Sequence, residues 1–264
     1  MKNLCKCLFC LMLCAVSVGK PNSVCRAEEK VPKELDNGLP KLAIVIDDFG
    51  EDRVGVETML SLDIKFTGAV IPFMEFSESD ANRLNERGKE VMLHMPMEAY
   101  GNLPYSWYGS TLIKNSYSRA EARDVLLKSI DSLPFVKGVN VHMGTAVSQN
   151  PELADEILNV AKEKGLGFLD SKTIEGSVFP QIAEGKGVNF AERDLFLEVS
   201  GQKSYEFSKR RIEEAVELAK KNGRAILIGH VGPVGGEISA NVLKDCEEYL
   251  KTSGVQLVGF SELF

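Results

Sequence analysis

Residues 41–50 read KLAIVIDDFG, and the reading of this stretch decides the fold. Leu42-Ala43-Ile44-Val45-Ile46 is an unbroken run of small and β-branched apolar residues. A run without polar alternation predicts a strand covered on both faces, as in a parallel sheet with helices packed against it. It ends on Asp47 and Asp48, at the end of a parallel strand where α/β folds gather their ligands and chemistry. Strand alternation sends successive side chains to opposite faces, so the two acids are expected to point apart and do different jobs. Gly50 then frees the backbone to turn. A solvated strand end followed by a helix cap would look the same, so the assignment turns on the rest of the chain.

Outward from this strand, apolar runs and helical periods alternate. Strands are predicted at 66–71, 90–93, 138–142, 167–170, 188–190, 225–228 and 255–260, and helices at 53–62, 77–87, 151–164, 179–184, 205–221 and 241–251. A further helix starts after Ser118, whose capping box Glu121 completes. Between them, residues 100–117 form a loop rich in Gly, Pro and aromatics, including Tyr105, Trp107 and Tyr108, long enough to cover a site. Seven or eight strand–helix units without an antiparallel block predict an α/β fold, a distorted (β/α) barrel of seven or eight strands, over an open doubly wound sheet. The 264 residues agree with one such domain, which needs roughly 250. No phosphate-binding glycine fingerprint follows the first strand, which argues against a nucleotide ligand.

The charge and the N-terminus bound the setting. A net charge of -7, with no cluster of Lys and Arg, argues against nucleic acid as a partner. Residues 1–27 resemble a secretory signal peptide: Lys2 and Lys6 give a positive start, 4–18 is almost wholly apolar apart from Lys6 and Ser17, and small residues stand at Gly19 and Ala27. The stretch is short for a membrane-spanning helix, so membrane contact is expected only through an uncleaved leader, and the product is expected to be secreted or periplasmic. Five of the six cysteines lie in this leader, leaving Cys246, in a helical pattern, as a core residue rather than a nucleophile. Residues 28–40, charged and proline-bearing, read as a linker, and 41–264 as the barrel domain.

The chain has 3 histidines, and each falls at a predicted strand end: His94, His142 and His230. With Asp47, Asp48 and Asp170, five strands would deliver imidazoles and carboxylates to one rim of a barrel. Two imidazoles and a carboxylate with open positions describe a catalytic divalent-metal site, zinc first, with Co, Ni, Fe or Mn able to take its place.

IVIDDFG at 44–50, GKEVMLHMPME at 88–98, GVNVHMGT at 138–145, FLDSKT at 168–173 and ILIGH at 226–230 together resemble the polysaccharide deacetylase superfamily with the NodB-homology fold, in its divergent branch of secreted bacterial proteins. The resemblance implies a NodB-like distorted barrel, metal-assisted removal of acetyl groups from N-acetylated sugars, and an acetylated glycan as partner. It implies Asp47 as general base, Asp48 and His94 as metal ligands and His230 as general acid. Typical members carry a second histidine four positions after the first, where this chain has Glu98; His142 is expected to replace it, with Glu98 ligating or orienting a ligand. Asp170 is expected to position or charge-stabilise a catalytic partner. Asn140, Ser171 and Trp107 are further expected second-layer or substrate contacts. Two rival readings use the same motifs: another metal-dependent amide or ester hydrolase, and a non-catalytic envelope protein that binds metal and glycan.

Overall fold

The computed structural model describes residues 38–101, 103–199 and 203–264. The expected signal peptide at 1–27, and most of the linker expected at 28–40, lie outside the described residues. The strands are β1 (Lys41–Phe49), β2 (Thr67–Val70), β3 (Glu90–Met97), β4 (Val136–Met143), β5 (Gly167–Asp170), β6 (Phe190–Glu192), β7 (Leu195–Phe196), β8 (Arg224–His230) and β9 (Gln256–Val258). They form one sheet in the order β6-β5-β4-β3-β2-β1-β8-β7, with β9 added beside β1. Every strand pair is parallel, as the unbroken apolar runs require.

β6 borders β5 at one edge and β7 borders β8 at the other, yet only Arg193 and Asp194 separate them in the chain. Three Cα steps span at most about 11 Å, so the two edges of the sheet are drawn together. The seam is stitched by the Arg193 N–H to the Asp170 carbonyl and by Asp194, whose N–H donates to the Ile226 carbonyl while its carboxylate accepts from the Ile226 N–H. The sheet is therefore curled into the distorted barrel that the sequence predicts, and strand β7, two residues long, is the part too short to leave a period.

Strand alternation sorts the core into two layers. Ala43, Val45, Ala69, Met92, Leu169, Ile226 and Ile228 pack inside the barrel, closed below by Val258, Phe260 and Leu263. Leu42, Ile44, Ile46, Val91, Leu93, Val139, Val141, Phe168 and Leu227 face outward onto the helices. Those helices are α1 (Val56–Leu60), α2 (Ser77–Glu86), α3 (Arg119–Asp131), α4 (Pro151–Glu163), α5 (Phe179–Ala183), α6 (Tyr205–Asn222), α7 (Gly232–Asp245) and α8 (Glu247–Thr252). The Ser118–Glu121 capping box is present at α3, and Asn150 caps α4 with Pro151 in its first turn. The single helix expected at 241–251 is two: α7 starts earlier, in a Gly-Pro-Val-Gly-Gly run with no apolar period to read, and the chain breaks at Cys246 before α8.

Candidate active site

The inward-facing register continues past the apolar layer into polar residues. Ala43 and Val45 are followed on the same face by Asp47, Met92 by His94, Gly138 by Asn140 and His142, and Ile228 by His230. Pairing aligns them: Asp47 stands beside His230, and His94 beside Asn140. Asp48 should face outward with Ile46, but its φ of 69° lies in the left-handed region and the β1–β2 register shifts between Ile46 and Phe49. This local inversion overturns the expectation that the two acids point apart, since both line one cleft of about 390 Å³ at the strand ends. A non-glycine residue held there carries backbone strain, of the kind that persists where a site demands it.

Asp48 Oδ1 lies 3.2 Å from His94 Nε2 and 3.2 Å from His142 Nδ1, and the two nitrogens are 3.0 Å apart. The outer nitrogens fix the tautomers. His94 Nδ1 is 2.8 Å from Asn140 Oδ1, and His142 Nε2 is 2.8 Å from the carbonyl of Trp107; both oxygens only accept, so both outer nitrogens carry the protons. The inner nitrogens then present lone pairs to each other and to a carboxylate oxygen that is buried without a hydrogen-bond partner. Three acceptors at this spacing call for a cation. Two tetrahedral ligand atoms about 2.05 Å from a zinc ion would stand about 3.3 Å apart, so the donor set fits a divalent metal such as zinc. Among the described residues these three form the one such group of metal-ligating side chains. Burial works against the charges, but the neighbouring His142 and His94 hold Asp48 well below the usual carboxylate range, and Asp48 raises His142.

Asp47 is almost wholly buried, and Asn140 Nδ2 donates to its Oδ1 at 2.8 Å. Asn140 thus bridges His94 and Asp47. Burial pushes the Asp47 carboxyl up, opposed by the neighbouring His94 and His230. On the other wall, His230 Nδ1 is 2.6 Å from Oε1 of Glu198, whose Oε2 accepts from the Ser239 hydroxyl. The backbone is packed close enough here that a Cβ on Gly235 would sit 2.6 Å from Glu198 Oε1. Burial would lower the His230 imidazolium, but the Glu198 hydrogen bond and the charges of Asp48, Glu198 and Asp47 push it up to about 9. Glu198 escapes sequence reading because its segment, at the barrel seam, has no period.

Several expected residues stand elsewhere. Asp170 follows the inward-facing Leu169, so alternation turns it outward; its Oδ1 accepts the Lys172 N–H at 2.9 Å, and it does not line the cleft. Ser171, next in the chain, faces the cleft instead. Glu98 is turned away from the group of Asp48, His94 and His142, its Oε2 accepting the Asn115 N–H at 2.6 Å, because the chain leaves β3 there to meet the Ile113 segment. The Trp107 side chain is 57% exposed, and what reaches His142 is its backbone carbonyl. Tyr108, by contrast, is buried, and its hydroxyl accepts the Ala99 N–H.

The family model for divergent polysaccharide deacetylases matches residues 44–264. An uncharacterized protein of Haemophilus influenzae is 30% identical over 224 residues, covering 85% of this chain and 76% of that protein. Among solved structures, an uncharacterized protein from Agrobacterium tumefaciens superposes with a TM-score of 0.76 at 18% identity, covering 86% of this chain and 89% of the other. The catalytic domain of a peptidoglycan N-acetylglucosamine deacetylase from Eubacterium rectale superposes with a TM-score of 0.52 at 11% identity, covering 85% and 90%. The two structures share the fold, and the family match, spanning every strand that carries a site residue, places the chain in the divergent polysaccharide deacetylase family.

Proposed function

We propose that the protein is a metal-dependent hydrolase that removes acetyl groups from N-acetylated sugars of a cell-envelope polysaccharide. The observation that carries the reading is the division of the cleft: a three-acceptor cation site on one wall and a carboxylate-held imidazole on the other, with buried Asp47 between them. Asp48, His94 and His142 would hold the cation, zinc by preference. When bound, it supplies Lewis acidity towards a substrate carbonyl and makes water a better nucleophile.

The chain's own residues supply the proton transfers. Asp47, held by Asn140 and raised above an ordinary aspartate, accepts a proton from the attacking water. His230, an imidazolium at neutral pH because of Glu198, donates a proton to the departing nitrogen through Nε2. Tyr100 and Leu103 wall the cleft, and the exposed rings of Tyr100, Tyr105 and Trp107 suit stacking on sugar faces. Export through residues 1–27 to the periplasm or beyond would bring the enzyme to such a substrate. Among the described residues no helix is long and apolar enough to cross a membrane.

The test is acetate release from acetylated chitooligosaccharides and peptidoglycan fragments, with and without a chelator. Release that requires added metal supports the reading. Metal uptake without release from either substrate favours the non-catalytic metal- and glycan-binding alternative.

A further inference from the structure

The loop expected to cover the site reaches further than its side chains. The carbonyl of Trp107, 35 residues before His142, lies 2.8 Å from His142 Nε2. It fixes the proton on the outer nitrogen, leaving Nδ1 to face Asp48 and His94. The loop is built to hold that carbonyl. Residues Tyr105–Tyr108 form a 3-10 turn closed by the Trp107 N–H to the Pro104 carbonyl at 3.0 Å. The buried Tyr108 anchors the turn through its hydroxyl, 3.1 Å from the Ala99 N–H. Gly109, at φ +78°, lets the chain leave the turn flush against the segment after β2, where a Cβ would meet Met74 Sδ at 2.9 Å. The indole, in contrast, is largely in solvent.

We infer that residues 99–101 and 103–110 are a working part of the metal site: the Trp107 carbonyl holds His142 in its ligating tautomer, and cation binding in turn secures the loop that carries the Tyr100 and Leu103 wall of the cleft. The second half follows from the first. If docking of the loop raises cation affinity by some factor, the cation favours the docked loop by the same factor, because binding linkage is reciprocal. Partners that orient a ligating histidine typically change metal affinity 10- to 100-fold. Metal occupancy would then shape the substrate side of the cleft as well as its chemistry. This inference rests on the metal reading above and is independent of deacetylation. The competing explanation is that Trp107 merely satisfies a buried imidazole; in that case disturbing the loop changes stability and leaves cation affinity alone.

Trp107 is the chain's only tryptophan, so the loop reports on itself. Zinc, a redox-silent d¹⁰ ion, is titrated into the metal-free full-length chain while tryptophan emission is followed and binding is measured in parallel by calorimetry. Emission is expected to shift and to saturate with the calorimetric affinity, and His142→Ala is expected to abolish the shift. Gly109→Ala and Tyr108→Ala, which dislodge the loop by different means, are expected to weaken zinc binding roughly 10- to 100-fold, with the metal-free fold intact by circular dichroism. Trp107→Phe keeps the carbonyl, so its calorimetric affinity should match the parent's. Zinc that binds without moving the emission, or loop variants that bind it as tightly as the parent, would overturn the inference. Absence of zinc uptake by the parent overturns it together with the metal reading, whereas coupled uptake without acetate release upholds it and counts against deacetylation alone.

Discussion

Glu198 Oε1 lies 2.6 Å from His230 Nδ1, so the imidazole at the end of β8 donates its Nδ1–H to a buried carboxylate, with Nε2 left for the cleft. A histidine raised to about 9 is charged at neutral pH, which is the state a proton donor needs. The imidazole is therefore not the unpaired group that its place on an apolar strand suggests.

Glu198→Gln is expected to move the alkaline limb of the pH–rate profile to lower pH, since the limb reports loss of the His230 proton. It should also lower the rate, by less than the roughly 10²- to 10⁴-fold expected for His230→Ala. Stability moves in the same sense. A histidine raised from 6.5 to about 9 on folding contributes stability that is complete below about pH 6.5 and is lost as the pH rises through 9. In metal-free protein the melting-temperature gap between parent and variant should accordingly be widest below about pH 6.5 and should close towards pH 9. A gap independent of pH would remove the charge coupling from the account.

Asn140 links His94 to Asp47 through both ends of its amide. Asn140→Asp would set a second carboxylate against an acid that burial already raises, and like charges at contact push one of the two higher. The acidic limb of the rate profile is expected to move up by roughly one unit or more, with metal retained. An unmoved limb would mean that Asp47 is not the group titrating there.

The metal ligands should be separable from the residues expected beside them. His94→Ala, His142→Ala together are expected to abolish uptake of about one ion per chain, and chelation of the parent should lower its melting temperature. Glu98→Gln keeps an acceptor for the Asn115 N–H and should leave metal affinity unchanged. A loss in Glu98→Gln as large as in His142→Ala would return Glu98 to the site.

Asp170→Asn tests the outward-facing assignment. Burial is the largest influence on this carboxyl and raises it, so at neutral pH its charge costs folding free energy. The raised group favours folding at low pH and loses that benefit as the pH rises through its folded value. The asparagine should therefore be at least as stable as the parent at neutral pH, while keeping the Lys172 N–H bond and the turnover. Loss of turnover with metal retained would place Asp170 in the reaction.

The curled parallel sheet was legible because its strands are apolar on both faces, and the three histidines because each ends such a run. What the sequence hid has definite physical causes. The face occupied by Asp170 depends on whether Leu169 points in or out, which a four-residue apolar strand does not reveal. The inversion at Asp48 is a backbone torsion, and the Trp107 contribution is a backbone carbonyl, neither of which a residue type encodes. Glu198 meets His230 only because the seam brings β7 beside β8, a pairing of two residues.

The central claim, that the cation group and Asp47 work together in hydrolysis, is tested most directly by acetate release from acetylated glycan fragments by the zinc-loaded parent and by zinc-loaded Asp47→Asn. The expected result is release by the parent that chelation stops and zinc restores, with the variant binding zinc equally and turning over roughly 10²- to 10⁴-fold more slowly. Near-parental turnover by Asp47→Asn, or no acetate from the zinc-loaded parent on any fragment, would contradict it.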